Sequence, residues 1–141
     1  MSRGLLDTSV IIAQLEAPRL DASPLGALPL DALPDDAAIS VATLAELHYG
    51  VLAAKNEEIR RIRLQRLGQV EATFLPLPID AEVARAFARV AHTVKMAGRQ
   101  PRARVMDLWI AATALAHGIP LYTHDRDDFS PLQHLIDVKS V

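Results

Sequence analysis

The chain predicts an α/β fold with a mainly parallel central sheet flanked by helices, and three observations carry that prediction. Short apolar runs alternate with longer segments of helical period, the order that builds a parallel sheet through right-handed crossovers. Half of the residues are hydrophobic, yet there are only three Phe, two Tyr and one Trp, which favours closely packed helices over a small sheet rather than an aromatic-rich sandwich. Acidic residues recur at the ends of the apolar runs or at the starts of the helices, where ligand sites gather in such sheets.

The first apolar run, Gly4-Leu5-Leu6, reads as a strand with Asp7 at its C-terminal end, and Thr8 and Ser9 are small hydroxyl residues that can cap the helix beginning at Val10-Ile11-Ile12. From Glu16 to Asp36 the chain carries Pro18, Pro24, Pro29 and Pro34 without a clear period, so this stretch reads as a turn-rich connection. Ala37 to Val41 is a second candidate strand. It leads into Thr43-Leu44-Ala45-Glu46-Leu47, in which Thr three residues before Glu fits a capping box, with a helix to about Ala54. Asn56 to Val70 sets Ile59, Ile62, Leu64 and Leu67 among Arg60, Arg61, Arg63 and Arg66, an amphipathic helix with a basic outer face. Phe74 to Leu77 is a third strand, and Asp80 can cap a helix running through Val83, Phe87, Val90, Ala91 and Val94 until Gly98 ends it. A basic loop, Arg99-Gln100-Pro101-Arg102-Ala103-Arg104, precedes a further helix from about Val105 or Met106 to His117, closed by Gly118. Ile119 to Tyr122 is the last strand that the sequence predicts.

At 141 residues the chain fits one independent core, and a single domain over residues 1–141 is expected. No apolar run approaches the roughly 20 residues of a membrane span, and the start Met1-Ser2-Arg3-Gly4 lacks the apolar stretch of a signal peptide, so a cytoplasmic protein without membrane contact is expected. The absence of cysteine excludes disulfides, thiolate metal sites and cysteine nucleophiles. A net charge of −2 argues against coating nucleic acid by bulk charge, although local patches can still bind phosphates. No Gly-x-x-x-x-Gly-Lys segment cradles a nucleotide, and no Gly-x-Ser-x-Gly elbow surrounds Ser9.

The chemistry is concentrated in acidic residues. Asp7 follows the first strand, Glu46 begins a helix, and Asp107 lies in the first turn of the otherwise apolar Asp107-Leu108-Trp109-Ile110-Ala111-Ala112-Thr113-Ala114. Asp125 and Asp128 lie just past the last strand. Taken singly, each has a plain structural role: helix cap for Asp7, capping-box partner for Glu46, helix-dipole partner for Asp107, solvated turn for the last two. Crowded together, carboxylates repel and raise one another's pKa values unless a cation neutralises them, and Mg²⁺ or Mn²⁺ suits an all-oxygen pocket.

On that scaffold the sequence resembles the PIN domain family, and more narrowly the VapC toxins of bacterial toxin–antitoxin pairs. The blocks that carry the resemblance are Leu5-Leu6-Asp7-Thr8-Ser9-Val10-Ile11-Ile12, Ser40-Val41-Ala42-Thr43-Leu44-Ala45-Glu46-Leu47 with Gly50, Asp107 to Ala114, and Leu121-Tyr122-Thr123-His124-Asp125 with Asp128-Phe129. They follow the family's order over nearly the whole chain. The resemblance implies a PIN-like three-layer fold and a Mg²⁺-dependent endoribonuclease, with Mn²⁺ as a substitute. It also implies RNA as substrate, a small VapB-type antitoxin as partner, and self-pairing as a homodimer. It places the catalytic acids on Asp7, Glu46, Asp107, Asp125 and Asp128, with metal ligands at Asp7, Glu46, Asp107 and Asp125, and it makes Thr8 and Thr123 polar groups that orient ligands. Relatives supply the fourth acid from either of two places, and this chain has both. Asp125 is preferred over Asp128 as nearer the strand end.

Arg99, Arg102 and Arg104 lie just upstream of Asp107 and would set cations on the cleft's rim to hold RNA phosphates, or would form a soluble loop. The Arg60 to Arg66 face reads as a solvated helix face. His48, His92 and His117 lack metal-ligand spacing and read as packing residues, whereas His124 adjoins Asp125 and could contact substrate or water. Two other functions remain open at this point. A receiver-type phosphoacceptor domain would want a second acid beside Asp7 and a Lys after the last strand, yet no Lys lies between Lys95 and Lys139. A non-catalytic binding module on the same fold would have no use for the complete set of acids.

Overall fold

The computed structural model describes residues 2–15 and 32–141; the Pro-rich connection with Pro18, Pro24 and Pro29 lies outside the described residues. Five strands form one wholly parallel sheet: β1 (Arg3–Leu6), β2 (Asp36–Ser40), β3 (Leu75–Leu77), β4 (Leu121–Thr123) and β5 (Val138–Ser140), in the order β3-β2-β1-β4-β5. The helices are α1 (Thr8–Leu15), α2 (Val41–Leu52), α3 (Glu57–Thr73), α4 (Ala81–Met96) and α5 (Val105–His117), with short 3-10 helices at Pro101–Arg104 and Arg126–Leu132.

Because side chains alternate across a strand, neighbouring residues serve opposite layers. Leu5, Ala38 and Leu121 pack against α4 and α5. Leu6, Ile39 and Tyr122 pack against α1, α2 and α3. The result is the expected three-layer α/β arrangement. Buried Val83, Ala86, Val90 and Val94 recur at helical spacing along α4, which lies along α5. Sandwiched between α4 and the sheet, α5 buries Leu108 and Ile110 through Ala114, and its alanines allow the close approach. Phe87 stacks on Trp109 with ring centroids 4.0 Å apart.

Several boundaries differ from those the sequence predicts. Ser40, the last residue of β2, is the N-cap of α2, its hydroxyl accepting from Ala42 N at 3.0 Å. Thr43 and Glu46 therefore lie inside α2 and form no capping box. Asn56 and Asp80 cap α3 and α4 through their side chains, and Gly118 closes α5 with φ of 63° in the left-handed region that favours glycine. Pro76 sits within β3, which a proline tolerates because β3 is an edge strand. The sequence did not predict β5, whose three residues leave Lys139 and Ser140 exposed. Arg60 and Arg63 reach back to carbonyls at the end of α2, Arg63 to Gly50 O at 2.7 Å, so that basic face clamps the α2–α3 hairpin. His48, His92 and His117 are exposed rather than packed, His48 lying 2.7 Å from Glu71. Among the described residues, no helix is long and apolar enough to cross a membrane.

Candidate active site

In the order β3-β2-β1-β4-β5 the chain moves outward from β1 in one direction through β2 and β3, and in the other through β4 and β5. The crevice between β1 and β4, at their C-terminal ends, is the switch point where ligands bind in open parallel sheets. Asp7 follows β1 and Asp125 follows β4 at this point. A cleft of about 450 Å³ opens there, lined by Asp7, Glu46, Asp107, Asp125 and Asp128 together with Thr8, Ser9, Ile12, Ala13 and His124. All five acids singled out in the sequence reach one cleft, although they come from four separate places in the chain.

Asp7 is the most buried of them, at 4% exposure. Its Oδ2 accepts from Ser9 Oγ at 2.7 Å and from Thr123 Oγ1 at 2.8 Å. Its Oδ1 is buried and has no hydrogen-bond partner among the described residues. Burial pushes the Asp7 pKa up and the nearby Asp125 adds to the rise, against the opposing hydrogen bonds from Ser9, Thr123 and the Thr8 backbone. Glu46 projects from within α2, where Thr8 Oγ1 donates to its Oε1 at 2.8 Å and Thr43 Oγ1 lies 2.9 Å from Thr8 Oγ1. Its pKa is likewise raised, by burial first and by Asp7 after the opposing Thr8 bond.

Asp107 is pushed up to about 6 from an ordinary 3.8, by burial first, then by Asp7, with Arg104 opposing. Its i,i+3 partner Arg104 stands between two carboxylates, with Nη1 3.4 Å from Asp107 Oδ2 and 2.6 Å from Asp128 Oδ2. Asp128 is presented by the 3-10 helix after β4, and Asp125 precedes that helix, its N–H donating to Thr123 Oγ1 at 2.9 Å.

The three arginines of the basic loop separate. Arg104 belongs to the acidic cluster itself. Arg99 reaches the 3-10 helix, donating to Asp127 O and Ser130 Oγ, and Arg102 is exposed. His124 turns its Nδ1 to Val141 O at 2.8 Å, although the residue also lines the cleft. Sequence reasoning missed two contributors. Ser9 holds Asp7, and its signal was the spacing of two residues after an acid in a turn. Thr43 supports Thr8, and its signal was misread as a helix cap.

A buried carboxylate oxygen without a partner, on an Asp7 whose pKa is raised together with those of Glu46 and Asp107, marks a site short of positive charge. The donor set is all oxygen, which suits a hard divalent cation. Among the described residues, no three acidic or imidazole groups close on one point as they stand: Glu46 is drawn to Thr8, and Asp107 and Asp128 to Arg104. That spacing still fits Mg²⁺, which keeps several waters and commonly takes only one or two carboxylates directly.

The profile of the PIN domain family matches residues 4–134, and with this sheet order and this cleft the chain belongs to that family. Two of its curated relatives are named as VapC ribonucleases. Ribonuclease VapC5 of Mycobacterium tuberculosis is 41% identical over 138 residues, covering 98% of this chain and 93% of that protein. Ribonuclease VapC4 of the same organism is 39% identical over 125 residues, 89% of this chain and 88% of that protein. Among solved structures, a member of the VapBC family of toxin–antitoxin systems, VapBC-5 from Mycobacterium tuberculosis, matches with a TM-score of 0.77 at 38% identity, covering 100% of this chain and 98% of that one.

Proposed function

We propose that this chain is a Mg²⁺-dependent endoribonuclease acting as the toxin of a VapBC-type toxin–antitoxin pair. The observation that carries the reading is Asp7, a buried carboxylate with one oxygen held by two hydroxyls and the other unpartnered, at a switch-point cleft with four further acids. The relatives named as ribonucleases support RNA as the substrate, and a cytoplasmic location is part of the same proposal.

Asp7, Glu46, Asp107 and Asp125 would hold Mg²⁺, with Mn²⁺ able to substitute. When bound, the ion supplies a water of lowered pKa and positive charge for the phosphate under attack. The protein's own work is positioning. Ser9 and Thr123 fix the rotamer of Asp7, Thr8 fixes Glu46, and the low dielectric of the cleft floor strengthens each of these bonds. Arg99 and Arg102, outside the acidic cluster, would hold flanking phosphates of the RNA.

The antitoxin would lie in an apolar groove beside the cleft, lined by Ile12, Leu47, Gly50, Val51, Arg63 and Leu67 and sharing Glu46 with it. A segment seated there reaches the acids and blocks RNA. The likeness to VapBC-5 supports that partner. Self-pairing as a homodimer is part of the same proposal, supported by Tyr49 and Leu52 standing 71% and 72% exposed near the end of α2; light scattering on the purified chain tests it.

The test of the activity is to incubate purified protein with structured RNA in Mg²⁺ or Mn²⁺, then with EDTA, then with Asp7→Asn in place of the wild type. Cleavage should require the metal and be lost in the variant. Cleavage that survives both treatments sinks the proposed site.

A further inference from the structure

Asp125 and Asp128 both line the cleft, but the structure gives them different partners. Asp128 Oδ2 lies 2.6 Å from Arg104 Nη1, and the same nitrogen stands 3.4 Å from Asp107 Oδ2. One guanidinium nitrogen therefore faces two carboxylates, and Asp128 holds it more closely. The position of Asp128 is fixed from below: its N–H donates to Asp125 O at 3.0 Å, and the adjoining Phe129 is only 1% exposed within the core.

Asp125 is tied to the other half of the cleft. Its N–H bonds to Thr123 Oγ1, the hydroxyl that also donates to Asp7. Its carboxylate makes no hydrogen bond or ion pair among the described residues. Its charge bears on Asp7, whereas that of Asp128 bears on Arg104.

Resting on the metal-site reading above, which takes Asp125 as the fourth carboxylate, we propose that Asp128 is the tether of Arg104 and not a metal ligand: by taking the closer contact it leaves Asp107 only the longer, weaker share of the guanidinium. Without the tether, Arg104 has a second carboxylate already within reach, at the i,i+3 spacing that favours a helical ion pair. It then becomes a built-in cation competing with the metal for Asp107. Asp128 and Arg104 are thus positioning residues, acting on the site through Asp107.

The experiment is Mn²⁺ binding by isothermal titration calorimetry on the full chain, for the wild type, Asp128→Asn, Arg104→Gln, the two combined, Asp125→Asn and Asp7→Asn. Circular dichroism confirms that each variant folds. Asp128→Asn should weaken Mn²⁺ binding roughly five-fold, the size of a partly exposed charge pair. Arg104→Gln alone should bind as well as the wild type or better, and adding it to Asp128→Asn should restore the lost affinity. Asp125→Asn should weaken binding whichever residue stands at position 104. If Asp128→Asn costs the same affinity with or without Arg104, Asp128 is a ligand and the tether is wrong. If the wild type shows no Mn²⁺ binding that Asp7→Asn removes, the metal reading itself has failed and the tether with it, so the two failures are told apart.

Discussion

Thr123 Oγ1 donates a 2.8 Å hydrogen bond to Asp7 Oδ2, joining the end of β4 to the residue after β1 across the switch point. That bond and its neighbour from Ser9 stabilise a carboxylate which burial would otherwise drive to the protonated form.

Thr123→Val keeps the shape and removes the donor, so the Asp7 pKa should climb further. A ligand must be ionised to bind a cation, and the acid limb of the pH–rate profile for RNA cleavage should therefore move to higher pH. At fixed pH the loss in Mn²⁺ affinity or activity should be roughly 10–100-fold, as for other groups that orient a metal ligand. An acid limb that stays in place would show that Asp7 does not govern it.

The Thr8–Thr43–Glu46 chain makes a second, graded prediction. The single hydroxyl proton of Thr8 goes to Glu46, so Thr43 must be the donor to Thr8. Thr8→Val strands the fully buried Thr43 hydroxyl and should cost about 1–3 kcal/mol, whereas Thr43→Val removes only a donor and should cost about 1 kcal/mol. Urea unfolding of the metal-free chain measures both. Only Thr8→Val should also lower activity sharply, because only that change releases Glu46.

The same three residues show what was legible in the sequence and why some was not. Apolar runs placed β1 to β4, and period-3.6 patterns with Asn56, Asp80 and Gly118 as punctuation placed α3 to α5, because local forces set those features. A Thr three residues before a Glu is locally indistinguishable from a capping box, and only the packing of α2 beside α1 turns Thr43 inward to Thr8. Three-residue β5 carries too little pattern to be seen, since it is specified by its pairing with β4. The five acids could be named from strand ends and helix starts, but the division of labour between Asp125 and Asp128 depends on where Arg104 reaches, and that is a tertiary fact.

Gly4 tests how tightly the strand ends are packed. A Cβ at Gly4 would collide with the Tyr122 ring and come within 3.0 Å of Pro34, and Tyr122 is the residue before Thr123 on β4. Gly4→Ala should therefore cost about 1–3 kcal/mol, the usual range for overpacking a core, with the ring or the strand displaced to make room. Thermal unfolding gives the cost. A crystal structure of the variant should show Thr123 shifted relative to Asp7, and an unchanged melting temperature would mean that the ring swings away freely.

Asp107 links the site to the stability of the metal-free fold. Its folded pKa is about 6 against an ordinary 3.8, so as pH rises through this window the unfolded chain releases its proton before the folded chain does. The folded state then binds more protons than the unfolded one, and stability falls with rising pH between about 4 and 6. Asp107→Asn removes that penalty. The gain above pH 6 should be about 1–2 kcal/mol after discounting for solvent screening at a side chain that is 30% exposed, or roughly 3–6 °C in melting temperature. Well below pH 3.8 the variant and the wild type should melt together, because the carboxyl is then neutral in both states. Saturating Mn²⁺ should reverse the order at neutral pH, since the cation stabilises only the chain that retains the carboxylate. A variant that melts below the wild type in EDTA at pH 7 would show that the Asp107 carboxylate stabilises the metal-free fold through Arg104 instead of straining it.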